Sequence, residues 1–353
     1  MKVLVTGGAG FVGASVSLAL KERNPEWELL AFDNLKRRGS ELNLPRLSDA
    51  GVAFVHGDVR EAGDLMALPA IDALVECSAE PSVLAGYGEA ADYVVRTNLL
   101  GAYHCLQLAR RDDAVFLFLS TSRVYPLELL NQLRLTETAT RFGLAAEQEL
   151  VGASEAGISE AFPLGGARTL YGATKLAGEL LAAEYADAFG LRVVIDRCGV
   201  IAGPWQLGKV DQGVFTHWVL SHHFGRPLAY LGYGGTGKQV RDLLSVADLV
   251  ELIDEQLRNL DTWAGFTGNV GGGPGCSLSL LETTQLCREL TGNEVPIEVI
   301  GAARPGDVPL YVSDCARLFE RTDWRPRRAP REILADIHGW VKDNEAALEA
   351  ALA

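Results

Sequence analysis

Along the first third of the chain, short apolar runs alternate with stretches in which apolar positions recur every three or four residues. Val3 to Val5, Glu28 to Phe32, Val52 to Val55, Ile71 to Cys77 and Ala114 to Leu119 read as buried strands. Ala14 to Arg23, Arg60 to Leu68 and Tyr93 to Arg110 read as helices between them. Strands alternating with helices at this spacing predict an α/β fold with a parallel, doubly wound sheet, whose ligands lie beyond the strand C-termini. Leu35 to Asp49 is charged and contains Pro45, so it reads as a loop with one helical turn. Later helical patterns cover Tyr171 to Tyr185, Phe215 to Phe224, Ser277 to Leu290 and Glu332 to Leu352. The connection from Leu127 to Leu170 exceeds an ordinary loop and reads as a lid, a surface decoration or an oligomer contact.

The first strand runs straight into glycines, KVLVTGGAGFVG. The turn from Gly7 through Gly10, Phe11 and Val12 to Gly13 has the spacing G-x-x-G-x-x-G between a strand and a helix, a variant of the dinucleotide-binding fingerprint. Glycines let the backbone approach a pyrophosphate, and the helix N-terminus offers free N–H groups and partial positive charge. The second strand ends in Asp33-Asn34, where an acid can accept both adenosine ribose hydroxyls. An acid there repels a 2′-phosphate and favours NAD over NADP, although Arg37 and Arg38 follow closely enough to hold that phosphate. Asp58-Val59 after the third strand has two readings: it brackets an adenine ring, or Asp58 caps the next helix. Ser78-Ala79 follows the fourth strand, and Ser120, Thr121 and Ser122 end the fifth, pointing at the same crevice.

Tyr171 and Lys175 lie four residues apart and share one helix face. A phenol with a pKa near about 10 is a poor base at neutral pH. A lysine cation and an oxidised nicotinamide beside it favour the phenolate. Tyr171 can then take a proton from a sugar hydroxyl while Thr121 hydrogen-bonds the reacting oxygen.

Whole-chain numbers narrow the partners. The 353 residues suffice for a large core and two lobes. A net charge of −14, from 32 Lys+Arg against 46 Asp+Glu, opposes a sequence-independent grip on nucleic acid or an anionic membrane. Phosphate groups must then be held by a few placed arginines. No run of eighteen apolar residues occurs and the N-terminal apolar segment is cut by glycines, so neither membrane span nor signal peptide is expected and the chain reads as cytoplasmic. The six cysteines show no C-x-x-C pair or zinc-ligand spacing, and His222-His223 lacks a partner in register, so no metal site is expected.

Taken together these motifs resemble an extended short-chain dehydrogenase/reductase of the NAD-dependent sugar epimerase/dehydratase family, over nearly the whole chain. The resemblance implies a Rossmann-like doubly wound parallel sheet with a smaller mixed α/β substrate lobe, and NAD as cofactor. It divides the chain into a cofactor domain over 1–203, to which 240–258 returns, and a mainly nucleotide-sugar-binding lobe over 204–353. It carries Gly7, Gly10, Gly13, Asp33, Asp58, Val59 and Asn98 to the cofactor, and Thr121, Tyr171 and Lys175 to catalysis. Ser122, Arg197, Arg241, Arg304 and Asp307, with Gln206, Lys209 and Gln212 on a polar, glycine-punctuated path, go to a nucleotide-diphosphosugar, although Arg197 also reads as a buried structural arginine. Hexose 4,6-dehydratases follow the catalytic Thr with an Asp-Glu pair, whereas Ser122-Arg123 follow here, so dehydration is not expected. The 4-epimerases carry a Lys near the position of Pro81 that this chain lacks. The stretches 33–44, 197–218 and 237–249 are most similar to CDP-paratose 2-epimerases, which implies epimerisation at C2 of a CDP-linked deoxyhexose. The rivals are a UDP-sugar 4-epimerase, a net dehydrogenase and a non-catalytic NAD-binding regulator. The family also implies a homodimer packed through the helices of Asn98 and Tyr171.

Overall fold

The computed structural model describes residues 1–87, 91–208, 212–302 and 304–352. Seven strands form the principal sheet: β1 Lys2–Thr6, β2 Glu28–Asp33, β3 Ala53–His56, β4 Ala73–Glu76, β5 Val115–Thr121, β6 Val193–Cys198 and β7 Phe266–Val270. Their order is β7-β6-β5-β4-β1-β2-β3, and the β1–β2, β1–β4, β2–β3 and β4–β5 pairs are parallel. This is the expected doubly wound sheet. Strand order reverses between β1 and β4, which opens a crevice at their C-terminal ends. Helices on both faces explain why β4 and β5 are buried at every residue and read as continuous apolar runs rather than alternating ones.

Helix α1 (Phe11–Arg23) follows the glycine turn, α2 (Gly101–Asp112) precedes β5, α3 (Leu170–Phe189) precedes β6, and α4 (Val246–Arg258) precedes β7. Leu106, Phe116, Phe118, Ala182 and Ile195 interlock in the core on one face of the sheet. Asn98 lies in a π-helical turn, Arg96–Leu100, that interrupts the long helix expected over Tyr93 to Arg110. Pro45 does not break its segment. It stands in the first turn of a helix, Leu44–Asp49, where its missing N–H costs nothing.

The chain forms two compact units. The first comprises Met1–Val124, Leu170–Arg197 and Leu249–Gly268, and the second Tyr125–Thr169, Cys198–Asp248 and Asn269–Ala353. These bounds differ from a division at 203. The returning segment is 249–268 rather than 240–258, because Val240–Ser245 pairs with Val200–Ala202, Ser277–Ser279 and Leu310–Tyr311 inside the second unit. The second unit is mixed α/β, with Phe215, Trp218, Ile333, Ile337 and Trp340 in its core.

The 127–170 connection is not a free loop. It carries two antiparallel pairs, Leu135–Glu137 with Phe142–Leu144 and Ala153–Ser154 with Gly157–Ile158. The Ile158 N–H donates to Val312 O at 2.8 Å, Phe162 is buried, and Leu135, Phe142 and Leu144 pack on Val240, Leu310 and Val312. Among the described residues no helix is long and apolar enough to cross a membrane.

Candidate active site

The glycine turn has the close approaches its spacing predicted. Gly7 has φ +62°, and a Cβ there would meet Cys77 O at 2.9 Å. A Cβ on Gly13 would lie 2.1 Å from Gly7 O, so α1 can sit on the turn only with glycine at that position. Gly10 caps α1 without a side chain, leaving the first-turn N–H groups of Phe11, Val12 and Gly13 for an anion. Asp33, at the end of β2, accepts from Ala9 N–H at 3.2 Å and Leu35 N–H at 2.8 Å. Burial pushes its carboxyl above the ordinary value, against those N–H bonds. The expected ribose acid and the glycine turn are therefore in contact.

Asp58 does not cap the following helix, since Ala62–Met66 has Glu61 at its N-cap. The Asp58 carboxylate instead accepts from Arg60 at 2.5 Å and from Asn34 Nδ2 at 2.9 Å. The Arg60 hydrogen bonds hold it well below the usual carboxylate range. Val59 is buried, and its carbonyl faces His104 Nδ1 at 2.8 Å. Asn98, expected at the cofactor, spends its side chain on the protein. Its Oδ1 accepts from Glu80 N–H at 2.7 Å, and its Nδ2 donates to Glu80 O and Thr174 Oγ1. It thereby pins the loop containing Ser78, Ala79 and Glu80 to α3. The hydroxyls of Ser78 and Ser120 are likewise engaged, donating at 2.5 Å to Glu76 and Glu179 respectively.

The catalytic candidates come together through backbone packing. Thr121 is the last residue of β5, and its Oγ1 accepts from Arg123 N–H at 3.2 Å. In the first turn of α3, Gly172 is so close to this segment that a Cβ would lie 2.0 Å from Arg123 O. Tyr171, its neighbour, thus stands beside the Thr121–Arg123 turn. One helical turn on, Lys175 is 2 % exposed, with its Nζ 2.9 Å from Glu76 Oε2 and 4.3 Å from the Phe118 ring centre. Burial works against this ammonium, but Glu76 and then Tyr171 outweigh it and the Lys175 pKa is raised. Glu76 ends β4, one residue before the Cys77 carbonyl that abuts Gly7. Contacts therefore run from the glycine turn through Cys77 and Glu76 to Lys175. Tyr171 lies one turn earlier on the same helix and acts on Lys175 electrostatically, and the first turn of α3 packs on the segment after Thr121, all at the C-terminal edge of the sheet.

One further turn along α3, Glu179 pairs with Arg197, which matches the reading of that residue as a buried structural arginine. That guanidinium is buried at the end of β6, and its Nε and Nη2 donate to the Glu179 carboxylate at 3.1 and 2.7 Å. It ties α3 to the sheet. Residue pattern alone passed over Glu76, Glu179 and Arg60. Glu76 was visible as a lone acid within the apolar run ALVEC, and Glu179 as the next residue on the Tyr171–Lys175 face.

In the second unit, Arg241 and Asp307 pair at 2.7 Å, and Arg241 Nη2 also donates to Val308 O. Asp307 N–H donates to Arg304 O at 3.3 Å, so Arg304 belongs to the same turn. Gln206 does not present its amide: Oε1 accepts from Thr216 Oγ1 at 2.7 Å and Nε2 donates to Ile201 O at 3.1 Å. Gln212 keeps a buried side-chain oxygen without a hydrogen-bond partner. Lys209 lies outside the described residues. His222 Nδ1 sits at Trp218 O, whereas His223 lies between His338 and Glu345.

The model of the NAD dependent epimerase/dehydratase family matches residues 3–271. CDP-paratose 2-epimerase of Salmonella typhi is 28 % identical over 355 residues, covering 97 % of this chain and 99 % of that protein. dTDP-glucose 4,6-dehydratase of Streptomyces antibioticus is 30 % identical, covering 98 % and 94 %. The UDP-glucose 4-epimerase of Thermus thermophilus, solved in complex with NAD, superposes with a TM-score of 0.75 at 25 % identity, covering 97 % and 99 %.

Proposed function

The chain belongs to the NAD dependent epimerase/dehydratase family, and from that premise we propose that it epimerises a nucleotide-diphosphosugar, at C2 of a CDP-linked deoxyhexose. The observation that supports the reading is the set of contacts joining the glycine turn through Glu76 to Lys175, on the helix that carries Tyr171 and whose first turn packs on the segment after Thr121. NAD fits the first unit: glycine at 13 lets the turn fold tightly against the start of α1, no side chain caps that helix N-terminus, and Asp33 adjoins the turn. When bound, NAD supplies a hydride acceptor that returns the hydride in the same catalytic cycle. Phe11, Val12 and Gly13 N–H groups hold its pyrophosphate, Asp33 the adenosine ribose, and Asp58 with Val59 the adenine edge. Tyr171 takes the proton from the sugar hydroxyl, Thr121 donates to the reacting oxygen, and Lys175 favours the phenolate. The ketone then presents its other face, and Tyr171 gives the proton back.

Epimerisation is preferred over dehydration because Ser122 and Arg123 occupy the positions after Thr121 where acids would serve water loss. Arg241, Arg304 and Asp307, with Gln212 and Lys209, are assigned to the nucleotide sugar. Arg197 is withdrawn because its buried guanidinium pairs with Glu179 between α3 and the sheet, and Gln206 because its amide bonds Thr216 and Ile201. The exposed side chains of Val95, Tyr103 and Leu180, with Leu99 and Leu181, line an apolar groove of about 770 Å³ on the Asn98 and Tyr171 helices. It is assigned to a second copy of the chain, and L180E is expected to yield a monomer in sedimentation. Cytoplasmic placement accords with six unpaired cysteines.

Purified protein given CDP- and UDP-sugars side by side in deuterated solvent, with product stereochemistry read by NMR, tests the reaction. Inversion at C2 of a CDP-sugar without net NADH supports it. Inversion at C4 of a UDP-sugar supports the alternative, and Y171F is expected to bind NAD while losing turnover at least about 1,000-fold.

A further inference from the structure

We propose that Glu76 is a positioning residue for this reaction, its buried carboxylate fixing the Lys175 amine as an ammonium beside the Tyr171 phenol. The inference rests on the epimerase reading above and adds a residue it does not use. Glu76 is 1 % exposed at the end of β4, and both its oxygens are committed, Oε2 to Lys175 Nζ at 2.9 Å and Oε1 to the Ser78 hydroxyl at 2.5 Å. Such a group has no solvent to share its charge with, so its partner is dictated.

The groups facing Lys175 are few. From β4 come Glu76 and the neighbouring Cys77, from its own helix Tyr171, from β5 the Phe118 ring, and from α2 the Cys105 thiol. Glu76 is the carboxylate hydrogen-bonded to Lys175; Glu179, one turn further along the same helix, is engaged by Arg197 and Ser120. A lysine buried to this depth without a carboxylate loses its proton readily, since desolvation penalises the charged form. The phenol beside it would then face a neutral amine and lose the electrostatic help that makes it a base. Ser78 restrains the second oxygen, so the carboxylate is fixed in place. Because Cys77 O abuts Gly7, the strand end holding this pair also backs the glycine turn.

The test uses E76Q, E76D and the double variant E76Q/K175M. Side-chain NMR of lysine-labelled, cofactor-free protein, with K175M identifying the signal, reads the Lys175 titration directly. In E76Q that titration is expected to fall by about 2 units or more, and the rate of hydride exchange to drop at least tenfold while the nucleotide-sugar KM stays within about threefold. Its pH profile gains a decline at high pH that follows the lowered lysine, and E76D restores part of both. Should E76Q fold poorly, recovery of Tm in E76Q/K175M and an intermediate titration in E76D carry the same information. An unmoved Lys175 titration in E76Q overturns the proposal, as does a moved titration with wild-type hydride exchange. A shifted lysine in a protein whose wild type exchanges no hydride with any nucleotide sugar would instead overturn the epimerase reading, which keeps the two failures apart.

Discussion

Truncating Arg197 separates a structural from a substrate-anchoring role. In R197M the guanidinium is replaced by an uncharged chain of similar length, and Glu179 is left with the Ser120 hydroxyl but without its cation. Arg197 and Glu179 side chains are 7 % and 5 % exposed, so both charges are largely removed from water. Breaking a buried pair from one side costs about 3–5 kcal/mol, because the remaining charge keeps its desolvation penalty and loses its compensation. At roughly 2–4 °C per kcal/mol for a unit of this size, Tm should fall by about 6–20 °C. The second arm is R197M/E179L, which removes both charges and is expected to recover most of that loss, as hydrophobic replacement of buried pairs often does. Differential scanning calorimetry reads both arms, and initial rates on the folded protein are expected to show a nucleotide-sugar KM within about threefold of wild type. An R197M protein with unchanged Tm and a KM raised about 100-fold would refute the reasoning and return Arg197 to the diphosphate.

Gly13→Ala puts a Cβ 2.1 Å from Gly7 O and 2.7 Å from Gly7 C, both backbone atoms, so the turn itself must move by about 1 Å to reach ordinary contact. Calorimetric titration should show NAD binding weakened at least tenfold, and wild-type affinity would count against the turn as the pyrophosphate site. Burial pushes the Asp196 carboxyl up to about 7, the Gln256 hydrogen bond opposing it only in part. The folded state therefore holds a proton that the unfolded chain releases near pH 4, and this contribution to stability is full below about pH 4 and lost as pH rises to about 7. D196N should abolish the corresponding slope, up to roughly 1.4 kcal/mol per pH unit, in denaturation curves collected between pH 5 and 7. Equal slopes in the two proteins would show that Asp196 is ionised throughout.

Much of this protein was legible from local order. Buried parallel strands are continuous apolar runs, so β1 to β5 could be read with bounds within two residues of those observed. Glycines at 7, 10 and 13 announce a backbone that must approach another backbone, and the structure supplies the distances. Where reading went astray, the deciding interaction lay outside the window. Pro45 reads as a breaker until its place in a first turn is known, and of the two readings of Asp58 the cap falls once Glu61 is seen to hold that place. The 127–170 stretch leaves lid, decoration and contact readings open in sequence because its packing partners, Val240, Leu310 and Val312, are far along the chain.

Sequence alone determined the sheet, the dinucleotide turn and the Tyr171–Lys175 face, because each follows from residue types at fixed spacing along one or two elements. Tertiary structure alone decided which polar groups are already satisfied. Arg197 and Glu179, Lys175 and Glu76, and Gln206 and Thr216 are separated by 18, 99 and 10 positions. Nothing in their spacing reveals that pairing, since the cost of burying a charge depends on what the fold brings beside it.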